Sequence, residues 1–242
     1  MKKIFGTLVA IFLMMSMVKG QDNYLDLQLG AGIPRNEYAA LEGDSVGYAG
    51  TGFMMSFEGN YFFLGGMGVV GSITYGMNFL DEVSLQDHLK DRFQESFPGV
   101  TLPEDATSQW VSQQWSNVNL MVGPVLSFPF AALKLELRGQ VGVSFMMPPE
   151  WDYYVAWEDK QFHVTSSGQS ARFAWQLGAG LLYQHVAGYG LRLGFDYFKT
   201  DTRFDVYYSY IEGNADDVPY DAITQYIPVT MFQATLGILY AF

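Results

Sequence analysis

Lys134, Glu136 and Arg138 recur two residues apart, and Arg192 and Asp196 stand four apart. In an extended chain both spacings place every side chain of the set on one face. Asp26, Glu58 and Arg172 occupy equivalent positions in three other alternating stretches. Together they are four cations and four carboxylates. Enclosed in one space they would form a mutually paired core, because a buried charge persists only when it is paired and hydrogen-bonded. Two chemistries are open to such a group: a rigid salt-bridged plug, or a gated ion path or proton relay.

Other candidate groups are weaker. The histidines are His88, His163 and His185, and none lies in an HExxH motif; a P-loop is also absent. His163 falls near Asp152, Ser166 and Ser167, the residue types of a loop-borne hydrolase or acyltransferase, but these are common residues in one polar stretch. Glu212, Asp216 and Asp217 offer oxygen ligands without the spacing of an EF-hand. With no cysteine, a disulfide framework, a Cys-ligated metal and a lipid-anchored N-terminus are excluded. The chain is expected to be non-enzymatic and to need no cofactor.

The elements that must hold the charges are strands. Apolar and polar residues alternate in eight segments. Those facing one way are Leu25, Leu27, Leu29 and Ala31; Phe53, Met55 and Phe57; Met67, Val69, Ile73, Tyr75 and Met77; and Val118, Leu120, Val122 and Leu126. Next come Leu133, Leu135, Leu137, Val141, Val143 and Phe145, then Phe173, Trp175, Leu177, Ala179, Leu181 and Tyr183. The last two segments place Tyr189, Leu191, Leu193, Phe195 and Tyr197, and Phe232, Ala234, Leu236, Ile238, Tyr240 and Phe242, on that face. The charges named above all lie on the opposite face. Segments this long exceed the usual soluble strand of about 5–6 residues and suit the ~9–11 needed to cross a bilayer at a tilt.

Connections alternate in length. Short ones lie near Gly59–Leu64, Phe128–Ala132 and His185–Gly188; long ones run over Pro34–Gly50, Leu80–Gln114, Pro148–Ser170 and Lys199–Pro228. Short periplasmic turns and long extracellular loops are the habit of bacterial barrels, and an even strand count puts both termini in the periplasm. The expected fold is therefore all-β: an eight-stranded antiparallel up-and-down transmembrane β-barrel. Within the second long loop, Ser84 is the expected cap of a short helix whose Leu85, Leu89 and Phe93 share a face. The long loops carry Trp110, Trp115, Trp151, Tyr154, Trp157 and Tyr208, expected to form an exposed interaction surface.

Bulk properties agree. Residues 1–20 have a Lys2–Lys3 start, an apolar run from Phe5 to Val18, and small Val18 and Gly20 before a cleavage site at Gln21, which makes them a secretory leader. Residues 21–242 then form one barrel domain. Aromatics reach 17% and charged residues only 16%, below the roughly 25% of ordinary soluble domains. The net charge of −12 argues against nucleic-acid binding.

The leader ending at Gly20-Gln21, the eight alternating segments and the terminal Leu236-x-Ile238-x-Tyr240-x-Phe242 resemble the outer-membrane β-barrel domain proteins of Bacteroidota, often called PorT-like, with an architecture similar to OmpX and the OmpA barrel. The resemblance covers Gln21 to Phe242. It implies an outer-membrane location and lipid contact, and insertion by the barrel-assembly machinery, which reads a terminal strand such as Leu236, Ile238, Tyr240 and Phe242. It implies no catalytic or ligand residue. The functional expectation is a charge-filled closed barrel whose acidic, aromatic loops meet a surface ligand or other outer-membrane proteins. The alternatives are a narrow channel or transport component, and a loop-based hydrolase or acyltransferase at His163.

Overall fold

A computed structural model describes residues 23–41, 46–96, 107–157, 160–184, 188–212 and 221–242. The leader and the cleavage site lie outside the described residues. The described chain holds eleven strands: β1 (Tyr24–Arg35), β2 (Ala49–Leu64), β3 (Met67–Leu80), β4 (Thr107–Ser112), β5 (Trp115–Phe130), β6 (Leu133–Met147), β7 (Trp151–Trp157), β8 (Lys160–Ser167), β9 (Ser170–Gln184), β10 (Tyr189–Glu212) and β11 (Asp221–Ala241). One helix, α1, spans Glu82–Ser96, and a short 3-10 turn spans Asn36–Tyr38.

Eight strands close a ring in the order β1-β2-β3-β5-β6-β9-β10-β11, every pair antiparallel. Closure is made by β1 on β11, from Tyr24 opposite Ala241 to Arg35 opposite Thr230. A closed ring leaves no edge strand in the barrel wall. The tight turns fall at Gly65–Gly66, where both residues have positive φ (46° and 89°), and at Ala131. The first turn thus lies beyond the Gly59–Leu64 stretch, because β2 continues to Leu64.

Leu27, Leu29, Phe57, Ile73, Leu137, Val141, Leu191, Leu193, Leu236 and Ile238 are all exposed on the outer face of the ring. Water would expel such a belt; hydrocarbon solvates it. Aromatic rings border the belt at both ends. Tyr189 meets Tyr240 at 5.2 Å near the tight turns, and Tyr197 meets Trp175 at 5.6 Å and Phe232 at 5.4 Å near the other rim. No described helix is long and apolar enough to cross a membrane.

Three of the long connections carry regular structure in the described residues, whereas in Pro34–Gly50 these hold the 3-10 turn between β1 and β2. β10 and β11 stay paired far past the ring, from Thr200 opposite Val229 to Tyr208 opposite Asp221. On its other edge β10 exchanges partners: its pairing with β9 stops at Lys199 opposite Trp175, and β8 takes over from Asp205 to Glu212. β8 pairs with β7, and β7 with β4. An extension sheet thus rises from one side of the barrel. Its strands alternate too, and one face must be buried once they pair.

Helix α1 packs on that face. Its N-cap is Asp81, whose Oδ1 accepts from Ser84 N at 3.1 Å, not Ser84 as expected; Glu82 and Val83 already belong to the helix. Leu85, Leu89 and Phe93 are buried, and Phe93 meets Phe162 of β8 edge-on at 4.8 Å.

Leu137 lies mid-strand on the outer face, opposite Leu126 and Ala179. A charge there should cost ~2–4 kcal/mol against lipid. Leu137→Arg is expected to abolish the heat-shifted folded band on detergent gels after refolding into vesicles, whereas Leu137→Phe should keep it.

Candidate functional site

The strand pleat turns Asp26, Glu58, Glu136, Arg138, Arg192 and Asp196 into the lumen, and all six are buried. Arg138 grips Asp196 with both arms of its fork, Nε to Oδ1 at 2.8 Å and Nη2 to Oδ2 at 2.6 Å. Its Nη1 donates to Glu58 Oε2. Arg192 Nη1 donates to Asp26 Oδ2 at 2.7 Å and to the same Glu58 Oε2 at 2.5 Å. Glu58 is the bridge between the two guanidinium groups. Glu136 Oε2 lies 3.9 Å from Arg192 Nη2 and accepts from the Tyr24 hydroxyl. Gln28 donates to Asp26 Oδ2 at 3.0 Å and accepts from Thr235 at 2.5 Å. The planar fork of arginine suits such two-point contacts to carboxylates.

Two expected members stand elsewhere. Arg172 is at the rim, a third exposed, and its Nε lies 3.4 Å from Asp201 Oδ1. It leaves the lumen because β9 and β10 cease pairing at Trp175–Lys199, so no closed wall directs it inward. Lys134 sits at the tight-turn end and donates to Gln184 at 2.9 Å. There a cavity of about 160 Å³ is lined by Tyr24, Phe62, Lys134, Glu136, Gln184 and Leu239 among others. Tyr24 and Gln28 were missed as partners, although both have the inward parity of Asp26.

Glycines make room for the forks. A Cβ added at Gly178 would overlap Asp196 and lie 3.0 Å from Arg138 Nε, and one at Gly180 would lie 2.9 Å from Arg192 Nε. Beyond the charges the lumen carries a neutral polar layer. Ser56 meets Thr74 at 2.8 Å, Gln176 donates to Gln140 at 2.6 Å, Gln140 to Ser72 at 3.1 Å and Ser144 to Asn119 at 2.6 Å. Apolar side chains fill both ends: Phe62, Val70, Val125, Leu182 and Leu239 at the tight turns, and Met121, Met146, Phe198 and Met231 at the other. An eight-stranded interior has about the width its side chains fill.

The apolar core continues upward into the extension sheet, where several expected surface aromatics are buried. Trp115 is 1% exposed; its indole donates to Gly47 O at 2.8 Å and its ring meets Tyr38 edge-on at 5.1 Å. Burial pushes the Tyr38 hydroxyl far above its ordinary pKa, so it stays a donor, to Asn78 Oδ1 at 3.3 Å. Trp151 is also buried, with half-buried Trp110 stacked on it at 6.3 Å. Tyr208 packs against the same core. Trp115 and Trp151 therefore leave the expected interaction surface, since a paired hairpin has an inner face that its aromatics occupy. Tyr154 stays half-buried on the opposite face, its ring edge-on to His163 at 6.1 Å. The Trp157 side chain lies outside the described residues.

His163 Nε2 lies 2.9 Å from Asp152 Oδ1 across the β7–β8 pair. Ser166 points to the other face of β8, is buried, and donates to Pro149 O at 2.9 Å. Ser167 is four residues from His163 along an extended strand, about 13 Å. The grouping does not assemble a nucleophile and its base. The stretch Gly43-Asp44-Ser45-Val46-Gly47 spells G-x-S-x-G. Residues 42–45 lie outside the described residues; the chain then enters β2, not the helix that a nucleophile elbow needs. Asp216 and Asp217 also lie outside the described residues, and among those described no three His, Asp or Glu converge as a metal site.

No protein-family model and no curated protein matches the chain. Among solved structures it is similar to Neisserial surface protein A, with 10% identity over 91% of this chain and 97% of that one and a TM-score of 0.44. It is also similar to a major outer membrane protein from Thermus thermophilus, with 12% identity, 92% and 100% coverage and a TM-score of 0.49. A third is Ail, the attachment invasion locus protein of Yersinia pestis, with 14% identity, 91% and 100% coverage and a TM-score of 0.41.

Removing one member of the lumen network should expose the others. Arg138→Ala leaves Asp196 and part of Glu58 uncompensated, which costs about 3–5 kcal/mol when buried. Replacing Arg138 and Asp196 together by leucine should recover much of the loss in urea midpoint on detergent gels. Gly178→Ala should weaken the fold as Arg138→Ala does, while alanine at outward-facing Gly139 should be nearly neutral.

Proposed function

We propose that the protein is a non-enzymatic barrel of the bacterial outer membrane that holds a recognition sheet above the surface. The apolar belt meets lipid, the termini face the periplasm and the long hairpins stand outside the cell. A PorT-like origin in Bacteroidota belongs to the same reading. Leu236, Ile238 and Tyr240 lie together on the outer face of the last strand, with Phe242 exposed just past its end, available to the barrel-assembly machinery.

The observation that carries the reading is the extension sheet. Its inner face is covered by α1, and its outer face presents Val111, Asp152, Tyr154 and His163 on neighbouring strands. Among the described residues β4 pairs with β7 alone and forms the end of the sheet. A rigid, partly aromatic face of this kind suits contact with a partner protein or a surface polymer. The filled lumen favours this role over a channel.

Val111→Asp with Tyr154→Ala alters the outer face without touching the core. Cross-linking on intact cells should lose the partners seen with the wild type by about tenfold or more, as for hot-spot residues, while the barrel stays heat-modifiable. Unchanged cross-links would overturn the reading. In planar bilayers the wild type should show no unitary conductance; reproducible steps that change with Arg138→Ala would favour the channel.

A further inference from the structure

The chain is strongly acidic, yet four of its cations gather on one side of the rim. Arg35 is on β1, Arg172 on β9, and Lys199 and Arg203 on β10. These strands are neighbours in the ring, in the order β9-β10-β11-β1. Lys199 and Arg35 both stand opposite Thr230 of β11, on either side of it. With strands about 4.8 Å apart, the two Cα atoms are about 10 Å from each other. Arg203 lies four residues above Lys199, about 13 Å along the strand, opposite Tyr226.

All three have the outward parity of Phe195 and Tyr197, so this face continues the apolar belt directly. The row beneath holds Tyr197 and Phe232, and the Arg35 guanidinium sits 5.6 Å from the centre of the Phe232 ring. From Tyr189 of the opposite girdle to Lys199 the strand rises ten residues. At about 3.4 Å each and a tilt near 40°, that is roughly 26 Å of height, the thickness of a barrel's apolar band. Lys199 and Arg35 therefore lie at headgroup level, with Arg203 just above.

Their charge is not spent within the protein. Arg35, Lys199 and Arg203 are exposed and form no ion pair among the described residues. The nearby carboxylates have other contacts or stand apart. Asp201 is held by Arg172 at 3.4 Å and by the Tyr226 hydroxyl at 2.9 Å, Asp205 accepts from Thr224 at 2.6 Å, and Glu37 is exposed on the 3-10 turn after Arg35.

We infer that Arg35, Lys199 and Arg203 form a binding patch for the phosphate groups of outer-leaflet lipid headgroups. Two cations at one height with a third about 10 Å above them suit phosphate, and the aromatic row beneath suits the acyl chains below it. Lipid held here would sit under the base of the extension sheet and fix its bearing on the membrane. The inference rests on the proposed orientation, with the hairpins outside the cell.

The full-length protein in phosphatidylcholine nanodiscs, doped with diphosphorylated lipid A or with its dephosphorylated form, provides the test. Lipid retained on the barrel is counted by native mass spectrometry. Each cation near an anionic surface contributes about fivefold, so the wild type should prefer the phosphorylated lipid on the order of a hundredfold. The triple variant Arg35→Gln, Lys199→Gln, Arg203→Gln should lose that preference and keep its heat-shifted band. Inorganic phosphate should not displace the lipid. Equal retention of both lipids, an unchanged triple variant, or displacement by free phosphate would each overturn the inference. Orientation is read separately: Ala222→Cys on the extension should react with a membrane-impermeant maleimide on intact cells. Failure there overturns the hairpins-outside reading and with it the leaflet, whereas the nanodisc preference decides the phosphate chemistry.

Discussion

Glu58 accepts from both Arg138 and Arg192, and that shared carboxylate ties the lumen together. Each guanidinium then reaches another strand, Arg138 to Asp196 on β10 and Arg192 to Asp26 on β1. Charges from β1, β2, β6 and β10 are thus compensated only when the ring is closed in one register. A one-residue slip of any of these strands would turn its charge toward lipid and leave its partner buried alone. The network thereby couples the registers of these four strands to one another. It also dictates the glycines at 178 and 180, where any side chain would occupy the space of a fork.

That filled interior divides the molecule into parts with different tasks. The lower barrel presents apolar residues outward and satisfies its polar groups inward, so its wall is compatible with hydrocarbon. Above the aromatic rim β10 exchanges β9 for β8, and the same strand that lines the lumen becomes the root of a sheet in water. The sheet has its own core, built from Trp115, Trp151, Tyr153, Phe162, Phe204 and the apolar side of α1. Because β10 and β11 run unbroken through both parts, the outer face of the extension is held rigidly relative to the membrane.

Much of this was legible in the period-two pattern. The inward and outward faces of all eight ring strands follow from alternation, and so does the burial of Leu85, Leu89 and Phe93 on α1. The misreadings share a cause. Trp151–Trp157 alternates Trp, Tyr, Val and Trp with Asp, Tyr and Ala, yet it falls within the expected long connection Pro148–Ser170 and pairs only with other parts of the expected loops. Trp115 and Trp151 were placed outside because nothing local indicates that a hairpin will fold a second core over them. Arg172 has inward parity, but parity aims a side chain only while both neighbours pair. Asp81 supplants Ser84 as the cap because either residue type can serve, and the end of β3 decides which one stands at the helix start.

The sequence by itself determined which side chains share a face, and hence the barrel, its apolar belt and the chemical character of its lumen. Those properties depend on backbone geometry that repeats every two residues and needs no distant partner. Only the tertiary structure decided which carboxylate meets which guanidinium, that Tyr24 and Gln28 join them while Arg172 does not, and that Arg35 and Lys199 flank one threonine. Apart from the Gln28–Asp26 bond, each of those facts joins residues tens to more than a hundred positions apart. They follow from strand register and ring closure, which bring the first strand against the last.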